Sequence, residues 1–196
     1  MSNMLHNKYL QVLQPLLSDY SSSVIGRELD KKIPLSQKGI SLALNELESM
    51  GVLKSLKRGN QKVFSLNKDN SEILDYIHIL ELHRKLRFLQ TNRVLSNIVR
   101  ADKRITSIFG SYARGNNKPD SDLDIFIVGK REKEDYDTKA MSFDMDVSIK
   151  YTSEREFREL LIKKNPLISE IVHNHIILSG FEKFIGLIWR HYYGFN

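Results

Sequence analysis

Residues 110–129 read "GSYARGNNKPDSDLDIFIVG", three aspartates within five residues leading into the apolar run Ile125–Val128. On a β-strand, residues i and i+2 point to the same face, so Asp122 and Asp124 project together at the strand's start. The remainder, "LDIFIVG", is continuously apolar, as in a strand buried on both faces. Two adjacent carboxylates repel and raise each other's pKa unless a cation lies between them. Such a pair suits Mg²⁺, a hard ion that takes oxygen ligands and completes its shell with water and phosphates. Asp120 follows Pro119 and reads as a turn residue instead.

Upstream, "RITSIFG" reads as a short strand ending in a glycine turn. Gly110 would let backbone approach a ligand closely, and the N–H groups after it could hold an anion. The Ser111 hydroxyl adds a donor for a phosphate oxygen, and Gly115 would close a one-turn helix in the left-handed conformation. Arg114 either contacts phosphate or pairs with an acidic neighbour. Downstream, "SFDMDVSIKY" alternates, which predicts a strand with Asp144, Asp146, Ser148 and Lys150 on one face. If that strand pairs with the aspartate strand, Asp146 supplies a third carboxylate, although Asp144 shares its face. Three carboxylates from two strands fit a two-metal site for in-line phosphoryl or nucleotidyl transfer. Lys150 is a weaker candidate for substrate contact. "SEREFRELLIKK" reads as a capped amphipathic helix, Pro166 as its end or a restart, "HIILSG" as a strand and "FEKFIGLIWRHYY" as a closing helix. His173, His175 and His191 form no metal-ligand pattern and read as surface or packing residues. Trp189 and the terminal aromatics read as core or an association surface.

The first 67 residues have another rhythm. Apolar residues at 5, 9, 10, 13, 16 and 17 predict a helix. The serines of "YSSSVIGRELD" are candidate N-caps for a short second helix ending near Lys31. Ser36 would cap a third, with Ile40, Ala43, Leu44, Leu47 and Met50 inward and Gly51 at its end. "VLKSLKRGNQKVFSLN" reads as two strands joined by a hairpin turn. Residues 68–103 read as helical, with a basic face of Arg84, Lys85, Arg87 and Arg93 taken as solvated rather than as a contact surface.

Composition bounds these readings. The 196 residues suffice for one large or two small domains, and 41% hydrophobic with 28% charged content describes a globular chain. No apolar run approaches a membrane span, and residues 1–11 lack a secretory signal's pattern, so the expected location is cytoplasmic. The absence of cysteine excludes disulfides, thiolate catalysis and cysteine-ligated zinc. The net charge of +6 favours polyanionic partners, and residues 1–67 concentrate it, with nine Lys and Arg against five Asp and Glu.

Two resemblances follow from these residues. "PLSQKGISLALNELESMGVLKSLKRGNQKVFSLN" resembles the winged helix-turn-helix domains of small prokaryotic regulators, although the same fold also serves protein interaction. That resemblance implies DNA contact from Gln37, Lys38, Ser41 and Asn45 on the third helix and from Lys57, Arg58 and Lys62 on the hairpin; Leu42 departs from the pattern. "GSYARGNNKPDSDLDIFIV" resembles the G-S-x-A-R-G…S-D-x-D signature of the DNA polymerase β-like nucleotidyltransferase superfamily, closest to its minimal prokaryotic members, over residues 93–150. This implies that Asp122, Asp124 and Asp146 are catalytic and hold two Mg²⁺, while Gly110, Ser111 and Arg114 bind the nucleotide. A nucleoside monophosphate would pass from an NTP, ATP first, to an acceptor, with release of pyrophosphate.

The expected architecture is α+β: a winged helix over 1–67, a helical connector over 68–92, and a mixed sheet flanked by helices over 93–196. Besides nucleotide and DNA, a homodimer and a protein partner or acceptor are open. The rival reading is a DNA-binding regulator whose transferase-like domain senses nucleotide or docks a partner without turnover.

Overall fold

In the first unit every strand is antiparallel, and a computed structural model describes residues 7–99, 102–133 and 135–194 of the chain. The chain divides into two compact units, and the division falls between Leu80 and Glu81. The first unit contains α1 (Asn7–Ser18), β1 (Ser23–Ile25), α2 (Gly26–Leu29), α3 (Gln37–Ser49), β2 (Leu53–Arg58) and β3 (Gln61–Leu66). Its sheet runs in the order β1-β3-β2. The Ser36 hydroxyl accepts from the Gly39 N–H at 3.2 Å, the cap expected for α3. Ile40, Ala43, Leu44 and Leu47 are buried from α3 against Leu13, Leu16 and Tyr20, whereas Met50 is only partly buried.

The serines of residues 21–23 do not cap α2, whose N-cap is Ile25 without a side-chain bond. Ser23, Val24 and Ile25 are extended and pair with Ser65, Phe64 and Val63. The β-branched Val24 and Ile25 gain a strand partner there, and tertiary pairing overrides the cap signal. Ser21 instead closes a turn on the Asp19 carboxylate.

Residues 68–103 are not one helix. The chain forms α4 (Ile73–Thr91), breaks at Asn92, and continues as α5 (Arg93–Ile98). The basic face is divided: Arg87 and Arg93 are exposed, as a solvated face requires, whereas Lys85 and Arg84 turn inward. Lys85 Nζ donates to the Leu178 carbonyl at 2.5 Å, and the Arg84 side chain is largely buried beside Glu81. Leu82 and Leu86 of α4 are 47% and 51% exposed.

The rest of the second unit comprises β4 (Ile105–Ile108), α6 (Gly110–Arg114), β5 (Leu123–Val128), α7 (Tyr136–Ala140), a 3₁₀ turn (Met141–Phe143), β6 (Val147–Thr152), α8 (Glu154–Ile162), α9 (Pro166–His173), β7 (Ile176–Ser179) and α10 (Phe181–Tyr193). Pro166 is thus a restart, at the first turn of α9, where a missing N–H costs nothing. The sheet order is β6-β5-β4-β7, with β5 and β6 parallel and the other pairs antiparallel. The unit is a mixed α+β sheet flanked by helices.

β5 is central and buried on both faces, as its apolar run predicts. Leu123, Ile125 and Ile127 pack with Leu95, Ile98, Tyr136 and Ala140 on one side. On the other, Phe126 meets Phe157 at 5.5 Å between ring centroids, and Phe157 meets Phe184 at 6.2 Å. Beyond the C-terminal end of β5, Arg104 pairs with Asp102 at 2.7 Å and Asp135 at 2.8 Å. Burial and the Asp135 carboxylate push the Tyr151 phenol up to about 12. The strand therefore has one end tied by ions and the other open to chemistry.

Candidate active site

The aspartate pair stands at that other end. Asp122 is exposed and immediately precedes β5, while Asp124 is the strand's second residue and half-buried. The Asp124 carbonyl accepts from the Phe109 N–H at 3.0 Å, which carries the start of α6 directly over the aspartate. Gly110 is the first residue of α6, with φ +69°. A Cβ added at Gly110 would lie 2.3 Å from Asp124 Oδ2 and 3.2 Å from its Cγ. Glycine meets both demands here, a left-handed backbone and room for a carboxylate. Gly115 ends α6 in the left-handed conformation (φ +71°), and the Asn116 N–H returns to the Ser111 carbonyl at 3.1 Å. Ser111 is partly exposed at the start of this turn.

Burial raises the Asp124 carboxyl above its ordinary value, and Asp122 adds to the rise, while Lys150 and Arg114 oppose it. In the parallel β5–β6 ladder, Asp124 is opposite Ser148 and Phe126 opposite Lys150, which puts Lys150 on the Asp124 face. The raised proton affinity has a sign for stability. Folding favours the neutral acid, so this stabilisation is complete below the ordinary aspartate range and is lost as pH rises through the elevated folded value. Asp124→Asn, which stays neutral, is therefore expected to raise Tm at neutral pH and to leave it unchanged in strong acid. Melting curves of both chains across pH 3–8 check this.

The third carboxylate is less gathered than the sequence suggests. The predicted strand over 142–151 begins only at Val147, after the 3₁₀ turn. Asp144 sits beyond that turn at φ 48°, so it does not share a strand face with Asp146. Asp146 is exposed, and its carbonyl accepts from the Leu123 N–H at 2.9 Å, next to the pair in the ladder. Among the described residues, no group of three or more acidic or histidine side chains converges as a metal cage. The donor set of Asp122 and Asp124, acidic oxygens that repel each other, fits a hard divalent cation. Asp120 lies in the turn after Pro119, where the Ser121 hydroxyl accepts from the Lys118 N–H at 2.8 Å. Arg114 is ion-paired with Glu170 of α9, a residue the sequence reading passed over.

Residues 92–186 match the nucleotidyltransferase domain family. This match spans just under half of the chain and reaches from the α4–α5 break into α10, so it takes in the entire four-stranded sheet. No curated protein and no solved structure matches the chain significantly. The match thus extends well past residue 150, where the sequence signature ends, and takes in β7, α8, α9 and part of α10. No helix among the described residues is long and apolar enough to cross a membrane.

In the first unit, Gln37, Lys38, Ser41, Leu42 and Asn45 are all exposed along α3, and Lys57 and Arg58 are exposed near the end of β2. Of these, Gln37, Ser41 and Asn45 line a groove of about 270 Å³ together with Arg27, Gln61 and Lys62. Lys62 differs from the other hairpin cations. It pairs with Glu48, donates to Asn45 Oδ1 at 3.3 Å and lies 5.0 Å from the Phe64 ring centroid, so it ties β3 to α3.

Proposed function

We propose that this protein is a Mg²⁺-dependent nucleotidyltransferase that moves a nucleoside monophosphate from an NTP, ATP first, to an acceptor and releases pyrophosphate. Residues 93–196 form the transferase domain, 68–92 connect, and 1–67 are a winged helix that delivers the enzyme to DNA. The observation that carries the reading is the contact of Gly110 with Asp124. A residue without a side chain, free to occupy the left-handed region, leaves the carboxylate and the adjacent loop open together. The family match over the same segment supports NTP transfer in general.

Asp122 and Asp124, with Asp146 beside them in the ladder, are the residues that would hold magnesium. The ions, when bound, supply positive charge to the phosphates and lower the pKa of the acceptor hydroxyl. The chain's own groups do the rest. The open backbone at Gly110 admits the phosphates to the loop, and the Ser111 hydroxyl donates to a phosphate oxygen. Arg114 contributes a guanidinium, suited by its planar fork to phosphate oxygens. Lys150, on the Asp124 face, offsets charge gathered at the pair. In the first unit, helix, short strand, two helices and hairpin follow one another as in a winged helix. The exposed polar row on α3 suits base edges, and Lys57 and Arg58 suit phosphates.

Labelled NTPs with Mg²⁺ and candidate acceptors (the protein itself, tRNA, DNA ends, small amino-sugar alcohols) test the reading. Pyrophosphate release is expected from the wild-type chain, with a loss of about 10³-fold or more in Asp122→Ala/Asp124→Ala, since such a change removes charge stabilisation of the transferring group. The rival, a DNA-binding regulator without turnover, draws on the exposed polar row along α3. Specific DNA binding with nucleotide bound but no pyrophosphate released decides for it.

A further inference from the structure

Arg114 is the last residue of α6, and Glu170 of α9 holds it. Its Nη1 is ion-paired with Glu170 Oε1, and Glu170 Oε2 accepts from Asn174 Nδ2 at 3.2 Å. Glu170 is therefore fixed on two sides, by the guanidinium and by an amide one helical turn on. Its helix is anchored through the buried Ile168, Ile171 and Val172, and Asn165 caps it by accepting from the Leu167 N–H at 3.0 Å. The carboxylate thus stands on a rigid element, while the arginine ends the short helix α6 that begins over Asp124. Both partners are partly exposed, so the pair adds little to the stability of the fold.

We propose that Glu170 is an internal competitor for the nucleotide: its carboxylate occupies Arg114 in the empty protein and must release it when phosphates enter. This rests on the reading of the α6 loop as the triphosphate site. A guanidinium bound by a carboxylate is already half neutralised, so an entering phosphate gains less from it. An exposed pair of this kind is worth at most about 1 kcal/mol, a barrier small enough for a nucleotide to overcome. Glu170 then sets affinity rather than chemistry. It discriminates by ligand charge, admitting triphosphates better than diphosphates because only the former supply enough negative charge to win the arginine.

A double-mutant cycle on the full chain tests this, with the dissociation constants of ATP and ADP in Mg²⁺ read by calorimetry. Glu170→Gln keeps the side-chain shape and the contact to Asn174, and is expected to tighten ATP binding about 3- to 5-fold, the fold-change of an exposed ion pair. ADP should gain more than ATP, and both gains should shrink as salt rises. In an Arg114→Ala background, which itself weakens ATP, Glu170→Gln should bring no further gain, because the competition passes through the arginine. A merely structural role predicts the reverse, weaker binding in Glu170→Gln. Unchanged or weakened ATP binding, or an equal gain without Arg114, overturns the proposal. If neither the wild-type chain nor Glu170→Gln binds ATP or any other NTP, the nucleotide site itself is wrong and this inference falls with it.

Discussion

Gly110→Ala is expected to abolish pyrophosphate release while the protein remains folded. Two demands meet at this residue and alanine satisfies neither. The backbone is at φ +69°, where a Cβ costs on the order of 1–2 kcal/mol. The new methyl would also lie 2.3 Å from Asp124 Oδ2, so the carboxylate or the loop must give way. A shift of about 1 Å at a reacting group costs about 10²-fold in rate, and here it displaces a metal-binding carboxylate and the phosphate loop from each other. The expected kcat/KM is therefore lower by about 10² or more, with a stability loss confined to the backbone strain. Gly115→Ala is the internal control. It carries the same left-handed strain, φ +71°, yet nothing lies within 4 Å of its added Cβ. It should lose similar stability and keep most of its activity. Thermal melts and steady-state pyrophosphate release for the two variants separate strain from obstruction. Equal activities in both would show that the Gly110–Asp124 contact has no part in catalysis.

That contact also marks the limit of what the sequence could reveal. The aspartate pair and the glycine turn are legible because strand period, apolar run and turn residues all act locally, within 20 residues. The same local logic places the Ser36 cap, the β2–β3 hairpin and α10. Failures arise where distant residues decide. Ser23–Ile25 carries a cap signal but takes the strand that Val63–Ser65 offers it. Residues 142–146 alternate as a strand would, yet the chain needs them to turn out of α7 before β6 can lie parallel to β5. Lys62 looks like its neighbours Lys57 and Arg58 in composition, and only the folded hairpin brings it to Glu48. Glu170 and Arg114 stand 56 positions apart, with no motif linking them.

The longest such link, between Glu81 and His175, carries the largest expected loss of stability. Both side chains are fully buried, and His175 Nε2 lies 3.2 Å from Glu81 Oε1. The other ring nitrogen, Nδ1, faces the Val172 carbonyl at 2.9 Å, where only an N–H can be satisfied. The proton on Nδ1 is thus assigned to that side, and Nε2 lies within hydrogen-bond distance of the carboxylate. Phe184 packs on the ring edge at 4.9 Å. Glu81 Oε2 makes no hydrogen bond, and Arg84 Nη1 stands 3.8 Å from it, close enough for charge attraction only. Together with the Lys85 bond to Leu178, this pins the second part of α4 to β7. Removing one member of a buried pair leaves the other unsatisfied, a change that costs about 3–5 kcal/mol. Glu81→Ala should pay that cost plus a cavity, lowering Tm by more than 10 °C at about 4–8 °C per kcal/mol. Glu81→Gln, which keeps shape and one polar contact, should lose less than half as much. A paired replacement, Glu81→Met with His175→Phe, removes both polar groups together, and its loss should be smaller than the sum of the single changes. Denaturant unfolding of these variants measures the coupling directly. Additive losses would mean that the two side chains are held by their separate surroundings and that the bond between them contributes nothing.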